Sequence, residues 1–437
     1  MKKVVATGIF TFLILFAFTQ DVKTIKKSVD KSDWATAKTQ IDAFLVKNPG
    51  NPEGLWYKAR IYSAIAGSEQ LKASVPDARK QAFDAFKTAQ EKGEKSNKDY
   101  QLLMVTSGQG FYKPVFELYT GYYDDGATKF NTAAGSGNKD DFKKAYDEFV
   151  NANNVGAYIF KNKWALSELD TSLLLNIGKA ALNAGMKDEA IQTFKKIADA
   201  NIHFTAQGSA GFDLPYQWLT LYYKQQKDEA NLIKYSSLGK QFFPADDYFD
   251  AVLLDYYHET KNKDALFKQY DAVVSKFPDS ANYRFNYANE LFNYVYNADE
   301  GAKIPNKEAL LQTINVQLTK ALSIKPEDVN TNWLFAQYYF NQGIDRRELA
   351  RDIKSTKPED VKKKNDILSS AIESFNKAIP YAEKGMAALE VGTKKADKSR
   401  YKSIVNLLNE ISKALQKPDK VKIYEAKYDA ADALFVK

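Results

Sequence analysis

The sequence predicts an all-α fold, a right-handed superhelical solenoid in which antiparallel helix pairs stack side by side. Apolar residues recur at helical spacing in run after run, and each run has a single apolar face that needs a partner. Proline is scarce, with 12 in 437 residues, and long stretches contain none. Pro244 and Pro278 are 34 residues apart and enclose two such runs, which indicates a repeating unit.

The N-terminus has the pattern of a secretory signal peptide. Lys2 and Lys3 precede an apolar run over residues 4–18, and small residues lie before Gln20. We therefore expect residues 1–19 to be cleaved and the mature chain to be exported, periplasmic or secreted, with no transmembrane segment. An uncleaved anchor is the alternative, but the apolar run is short of the roughly 20 residues that span a bilayer.

Composition excludes several classes of function. The chain is 44% hydrophobic and 27% charged, which is typical of a globular protein. Its net charge of +7 is spread over interleaved acidic and basic residues, so we expect no nucleic-acid partner. It has 0 cysteines, which excludes disulfides, thiolate nucleophiles and a lipid-bearing cysteine.

The clearest repeat unit lies between Thr171 and Ile202. Gly178 and Ala181 precede the short turn at Gly185, and Ala190 and Phe194 follow it. Small residues stand where two helices must approach closely, and the phenylalanine fills the space between them. The two runs flanking the turn therefore predict a helical hairpin.

This spacing resembles the tetratricopeptide repeat, a 34-residue helix–turn–helix unit with small residues and a phenylalanine at these offsets. The family often places a proline after the second helix, and Pro49, Pro244, Pro278 and Pro326 fit that position. The leader followed by Gln-Asp-Val resembles exported repeat proteins of Bacteroidetes-type bacteria. The resemblance implies a non-enzymatic protein that binds partners on the surface formed by the first helices.

The resemblance divides the chain into three parts after the signal peptide. Residues 20–165 are divergent repeats, residues 166–390 are clearer repeats, and residues 391–437 form a capping helix and a short tail that cover the last apolar face. Insertions that lengthen turns or helices are expected at 68–77, 135–140, 203–212, 297–306 and 345–364.

No catalytic, metal or cofactor site is predicted. His203 and His258 are the only histidines, too few for a His-rich metal site, and neither has a catalytic motif nearby. The acidic pairs at 124–125 and 246–247 lack the alternation of a calcium loop and suit helix starts or turns. Gly178-Lys179 resembles the end of a phosphate loop, but its upstream glycine is missing.

The resemblance also implies which residues face the concave surface. In the later repeats, the groove-facing positions combine amides with phenylalanines, which can pair with a peptide backbone and receive apolar side chains. These predicted groove residues are Asn282, Phe285, Asn289, Phe292, Asn293, Asn330, Leu334, Gln337, Phe340 and Asn341. The corresponding positions in earlier repeats are Ser172, Leu175, Lys179, Asn183, Gln217, Leu221, Lys224, Gln225, Tyr248, Asp255, His258 and Glu259.

The sequence therefore favours an interaction scaffold of the bacterial cell envelope that binds a peptide segment or protein, and an envelope complex is one candidate partner. The Lys/Asn/Arg set of the family's carboxylate clamp is not found, so recognition of C-terminal carboxylates is not predicted. A carbohydrate- or small-ligand-binding protein is the alternative, since aromatic residues make up 14% of the chain. An enzyme is the third possibility.

Overall fold

The computed structural model describes residues 21–93, 97–165, 170–205, 208–296 and 304–435. The predicted signal peptide lies outside these ranges. Within them the backbone forms 19 α-helices, and the only β-structure is an isolated antiparallel bridge between Thr205 and Gly208. The chain divides into two compact units, Met1–Phe249 and Asp250–Lys437, which are described separately.

The first unit contains eleven complete helices and the start of a twelfth. They are α1 (Val22–Asp30), α2 (Trp34–Lys47), α3 (Pro52–Ala66), α4 (Ala78–Gly93), α5 (Lys98–Ser107), α6 (Lys113–Ser136), α7 (Lys139–Lys161), α8 (Thr171–Ala184), α9 (Lys187–Asp199), α10 (Asp213–Gln225), α11 (Glu229–Phe242) and α12 (Tyr248–Glu259). Short 3₁₀ turns lie at Lys72–Ser74 and Gly108–Phe111.

The second unit contains the rest of α12 and seven further helices. They are α13 (Lys263–Lys276), α14 (Ala281–Tyr296), α15 (Lys307–Ile324), α16 (Val329–Asp352), α17 (Pro358–Gly392), α18 (Lys398–Ala414) and α19 (Pro418–Leu434). A 3₁₀ turn at Lys395–Asp397 precedes α18.

Consecutive helices pack against each other in both units. In the first unit α3 packs on α4, α6 on α7, α8 on α9 and α10 on α11; in the second, α14 packs on α15, α16 on α17 and α18 on α19. In five of these seven pairs, α6–α7, α8–α9, α10–α11, α16–α17 and α18–α19, the connection has only two to five residues, so the paired helices are antiparallel. The predicted all-α fold of stacked helix pairs is therefore confirmed.

Several helix pairs share one turn design. At Ser32, Lys227 and Lys261 the backbone takes a left-handed conformation with φ of 55–58°. The next residue is an aspartate or asparagine whose side chain accepts a backbone N–H of the following helix. The left-handed residue follows the end of one helix and the capping residue directly precedes the next, so each of these turns has only three residues.

A glycine facing a phenylalanine ring recurs where helices cross. An ideal Cβ added to Gly178 of α8 would lie 2.4 Å from Cε1 of Phe194 on α9, so only glycine leaves room for the ring. The same arrangement joins Gly54 to Phe44, Gly126 to Phe149, Gly239 to Phe249 and Gly343 to Phe375. These pairs set the close approach of helices that the small residues of the repeat predicted.

The C-terminus differs from the sequence prediction. Residues 391–437 were expected to be a capping helix with a short tail, but α19 continues the array as a second helix packed on α18. Pro418 begins α19 at its first helical positions, where a missing N–H is harmless, rather than marking the end of helical structure. Tyr424 and Ala431 of α19 are buried in the same apolar cluster as α18.

Candidate functional site

Eight of the ten predicted groove residues lie on an accessible face of the second unit. Helix α14 packs against α16, so residues from the two helices can share one surface. We call this set the amide face, and it consists of Asn282, Phe285, Asn289, Asn293, Asn330, Gln337, Phe340 and Asn341, all exposed or half-buried.

Two predicted groove residues belong to the core instead. Phe292 is 6% exposed and contacts the ring of Tyr296 at 5.0 Å between centroids. Leu334 is 4% exposed. Both residues follow the predicted groove spacing along their helices, but their side chains are buried in the core. The prediction that these two residues line a groove is therefore wrong.

The side chains of the amide face differ in how many contacts they make with other residues. Asn282 Oδ1 accepts a hydrogen bond from Lys325 Nζ at 3.2 Å. Phe340 contacts the buried ring of Phe375 at 5.8 Å between centroids, so it is anchored on the core. Asn289, Asn330, Gln337 and Asn341 make no side-chain hydrogen bond to another residue that the structure describes, and their amides stay available to a ligand.

Other predicted first-helix positions have mostly local partners. The Gln217 amide donates to the carboxylate of Asp246 at 2.7 Å. Asn183 donates to a backbone oxygen of its own helix at 2.9 Å. His258 is exposed, with Nδ1 3.2 Å from an oxygen of Glu290. Gln217 and Asn183 are therefore engaged within the fold, whereas His258 lies exposed beside Glu290.

A cavity lies in the first unit, along α8. It has a volume of about 910 Å³ and is bounded by α6, α7, α8 and by Thr205, Gly208, Ala210 and Phe212. Buried Ile159, Leu175 and Phe212 supply apolar surface. The half-buried rings of Tyr119 and Tyr123 supply aromatic surface. We call it the α8 cavity.

Polar groups of the α8 cavity lie along one stripe of α8. Asp170 caps the helix, and its Oδ1 accepts the backbone N–H of Leu173 at 2.9 Å while its Oδ2 accepts the hydroxyl of Tyr119. Burial raises the pKa of Tyr119, and the hydrogen bond to Asp170 raises it further. Six residues further along α8, Asn176 donates to the hydroxyl of Tyr123 at 3.1 Å.

Lys179 lies at the far end of this stripe. No carboxylate within the described ranges forms an ion pair with its ammonium, because its neighbours are apolar or neutral. Gly211 adjoins it: a Cβ there would lie 2.6 Å from Lys179 Nζ, and its φ of +80° also favours glycine. The absence of a side chain at 211 therefore leaves space for the ammonium.

Two contacts hold the residues that precede this wall of the cavity. The ring of His203 stacks on Phe242 with centroids 4.0 Å apart, and the hydroxyl of Tyr216 donates to the backbone oxygen of Ile202 at 2.9 Å. An isolated antiparallel bridge pairs Thr205 with Gly208. His203 therefore packs against the end of α11.

The sequence analysis identified residues of the α8 wall of this cavity but none of its other walls. It placed Ser172, Leu175 and Lys179 on the concave surface, and all three line the cavity. It assigned no surface role to α6, although Tyr119 and Tyr123 are spaced at helical intervals along it. That periodicity was a usable signal, but only the fold shows that α6 and α8 face the same space.

Among the described residues, no group of three or more His, Cys, Asp or Glu is placed to hold a metal ion. The acidic pairs have structural partners: Asp125 pairs with Arg79, and Asp246 accepts the backbone N–H of Tyr248 at 3.0 Å. Within the described ranges, none of the helices combines the length and apolarity needed to cross a membrane.

Comparison with known proteins gives only distant structural similarities. No protein-family model and no curated protein matches the chain. Human IFIT1 in a dimer with m7Gppp-AAAA is 12% identical over 86% of this chain and 90% of that chain, with a TM-score of 0.25. The APC/C hetero-tetramer Cut9-Hcn1 is 12% identical over 94% of both chains, with a TM-score of 0.20.

A circular tandem repeat protein with a novel repeat topology is 10% identical over 94% of this chain and 87% of that chain, with a TM-score of 0.17. Identities and TM-scores this low assign no ligand, partner or activity to this chain. The assignment to stacked helix pairs therefore depends on the helices of the structure itself.

Proposed function

We propose that the protein is a non-enzymatic scaffold, exported to the cell envelope, that binds an extended polypeptide segment of a partner on the amide face. The observation that carries this proposal is the set of amides without a hydrogen-bond partner among the described residues, on two adjacent helices. Each amide offers both a donor and an acceptor, which is the pair of groups that an extended backbone presents.

The aromatic residues of the amide face give such a segment a place for apolar side chains. Phe285 is half-buried, so part of its ring can be covered by a ligand. Phe340 is fixed by its contact with Phe375 and would lose little conformational freedom on binding. Aromatic anchors of this kind commonly supply most of the binding energy in a protein interface.

Export is proposed from the sequence pattern of residues 1–19, which precede the described part of the chain. N-terminal sequencing of the protein recovered from a fractionated cell tests it. A mature chain beginning at Gln20 in the envelope fraction would support the proposal, whereas an intact N-terminus in the cytoplasmic fraction would contradict it.

The amide face is tested with the double variant Asn289→Ala, Asn341→Ala. Partners captured by the full-length protein from an envelope extract are identified first, and the affinity of the purified partner is then measured for each variant. We expect the double variant to bind about 5- to 150-fold more weakly, since two interfacial hydrogen-bonding groups contribute about 0.5–1.5 kcal/mol each.

The matched control is the double variant Asn376→Ala, Asn406→Ala. Both residues are exposed asparagines of the second unit, on α17 and α18, outside the amide face. The control removes the same atoms and should leave partner affinity unchanged. Equal affinity of wild type and the Asn289/Asn341 variant would remove the amide face as the binding surface.

A second candidate function is binding of a small ligand, and the α8 cavity favours it. The cavity combines aromatic walls with hydroxyl, amide and ammonium groups, the mixture found in ligand pockets. It lies in the first unit, whereas the amide face belongs to the second.

A further inference from the structure

We propose that the α8 cavity binds a small organic monocarboxylate with an aromatic or otherwise apolar body. This site is distinct from the amide face and would give the scaffold a ligand of its own. The proposal is argued from the size of the cavity, the length of α8 that lines it, and the placement of its two charged groups.

The size of the cavity fits a small molecule. Its volume of about 910 Å³ lies within the range of about 300–1,000 Å³ that is usual for ligand pockets. The stripe from Thr171 to Lys179 extends about 12 Å along the helix axis. A ligand of two fused or linked rings spans most of that length, and a single ring would leave much of it empty.

The apolar part of the cavity lies between its polar ends. Ile159, Leu175 and Phe212 are 3–5% exposed, so they form a fixed apolar surface rather than mobile side chains. Tyr119 and Tyr123 are positioned by hydrogen bonds to Asp170 and Asn176, so their rings are held for stacking. An aromatic or apolar body is therefore better matched to the middle of the cavity than a charged one.

The two charged groups at opposite ends define the charge of the ligand. Lys179 provides an ammonium without a described counter-ion, which favours an anionic group beside it. Asp170 already accepts two hydrogen bonds and is negative, so a second anionic group at its end would be repelled. The arrangement selects for one negative charge and against two.

The donors of the α8 cavity fit a carboxylate better than a phosphate. Its described lining residues include one cationic side chain, Lys179, and no arginine, and the hydroxyls of Thr171 and Ser172 lie at the other end of the stripe. A phosphate group carries up to two charges and is usually held by arginine or several backbone N–H groups. A single lysine balances the single charge of a carboxylate.

The test uses three probes of one shape, added to the full-length protein in isothermal titration calorimetry. The probes are 4-biphenylacetate, its neutral analogue 4-biphenylacetamide, and biphenyl-4,4′-diacetate. We expect the monocarboxylate to bind with a stoichiometry of one, and the amide to bind about 10- to 100-fold more weakly because it forms no charged hydrogen bond. The dicarboxylate should also bind more weakly than the monocarboxylate.

Two variants locate the site. Lys179→Met keeps the length and apolar stem of the side chain but removes the charge, and should reduce affinity for 4-biphenylacetate to that of the amide. The control Lys187→Met removes an exposed lysine of α9 and should bind as wild type. Circular dichroism confirms that each variant keeps its helices.

Three results would overturn the proposal. The first is equal affinity for 4-biphenylacetate and its amide, which would show that charge is not recognised. The second is unchanged affinity in the Lys179→Met variant, which would place binding elsewhere. The third is the absence of any binding heat up to about 1 mM ligand, a concentration that detects even weak complexes.

Discussion

Replacing Gly178 by alanine tests whether the glycine–phenylalanine crossings hold the helix pairs together. The new Cβ would lie 2.4 Å from Cε1 and 2.7 Å from Cδ1 of Phe194, about 1 Å inside ordinary van der Waals contact. Phe194 is fully buried and also contacts the ring of Trp218 at 5.7 Å, so it has little room to move. Overpacking of this kind costs about 1–3 kcal/mol.

A second effect acts in the opposite direction. Alanine is favoured over glycine inside a helix by about 1 kcal/mol. We therefore expect Gly178→Ala to lower the free energy of unfolding by about 0–2 kcal/mol in the wild-type background. In a Phe194→Ala background the clash is absent, and the same substitution should raise that free energy by about 1 kcal/mol.

A double-mutant cycle separates the two effects. Phe194→Ala alone should cost about 3–5 kcal/mol, and the coupling between the two positions should be about 1–3 kcal/mol. Urea unfolding of the full chain is followed by circular dichroism at 222 nm and by tryptophan fluorescence, to which Trp218 contributes. Gly135→Ala is the control, since Gly135 has nothing within 4 Å of an added Cβ.

The sign of the change in the free energy of unfolding caused by Gly178→Ala, with and without the phenylalanine ring, decides between the two explanations. If Gly178→Ala stabilises the protein equally with and without the phenylalanine ring, the ring does not require glycine and the reasoning about helix crossings is wrong. A loss with the ring present and a gain without it cannot arise from helix propensity alone, which acts equally in both backgrounds.

Three further predictions concern other parts of the core. Lys276→Met should lower the free energy of unfolding by about 3 kcal/mol, measured by urea titration, because it removes the ammonium that lies 2.7 Å from the buried carboxylate of Asp250. Burial, aided by Glu53, raises the pKa of Tyr57 to about 12, and burial likewise raises that of Tyr122 to about 12. Because the neutral form is favoured in the folded state, their stabilisation is full below about pH 10 and is lost between about pH 10 and 12, which urea midpoints at pH 8, 10 and 11 would show. Ala190→Trp should lower the melting temperature, since Ala190 is fully buried and a larger side chain overpacks the crossing, whereas an unchanged melt would contradict the repeat alignment.

The helix pairs could be predicted from sequence because their signals are local. Gly185 takes φ of +80° at the end of α8, as the turn between the two apolar runs indicated. Turns without glycine were harder to find, since Lys227 and Lys261 occupy the same left-handed conformation. Lysine is not a turn signal, and only the aspartate or asparagine that follows it marks the start of the next helix.

The position of one insertion could be predicted, but not its form. The segment 345–364 was expected to lengthen turns or helices, and it forms the end of α16, a short turn and the start of α17, which has 35 residues. The chain was expected to end in a short tail after a capping helix, but Pro418 begins α19 instead. Proline interrupts a helix interior but is also favoured in a first turn. Sequence spacing alone does not separate these two uses.

The sequence does not show which predicted groove residues are buried, because burial depends on how the neighbouring helices are arranged. Phe292 and Asn293 are adjacent on α14, yet the first is 6% exposed and the second is exposed. A rotation of 100° per residue carries one side chain into the helix–helix contact and leaves the other on the surface. The spacing rule therefore does not tell which of the predicted groove positions are buried.

On α8 and α16, residues of the core and residues of the proposed sites are close in sequence but lie on different sides of the helix. Gly343 of α16 receives the ring of Phe375, while Asn341, two residues earlier, lies on the amide face. On α8, Gly178 receives Phe194, while the adjacent Lys179 lines the cavity. Because the packing that fixes each pair is confined to one side of these helices, substitution of Asn341 or Lys179 should change binding with little effect on stability. A loss of affinity in either variant can then be attributed to the ligand contact itself.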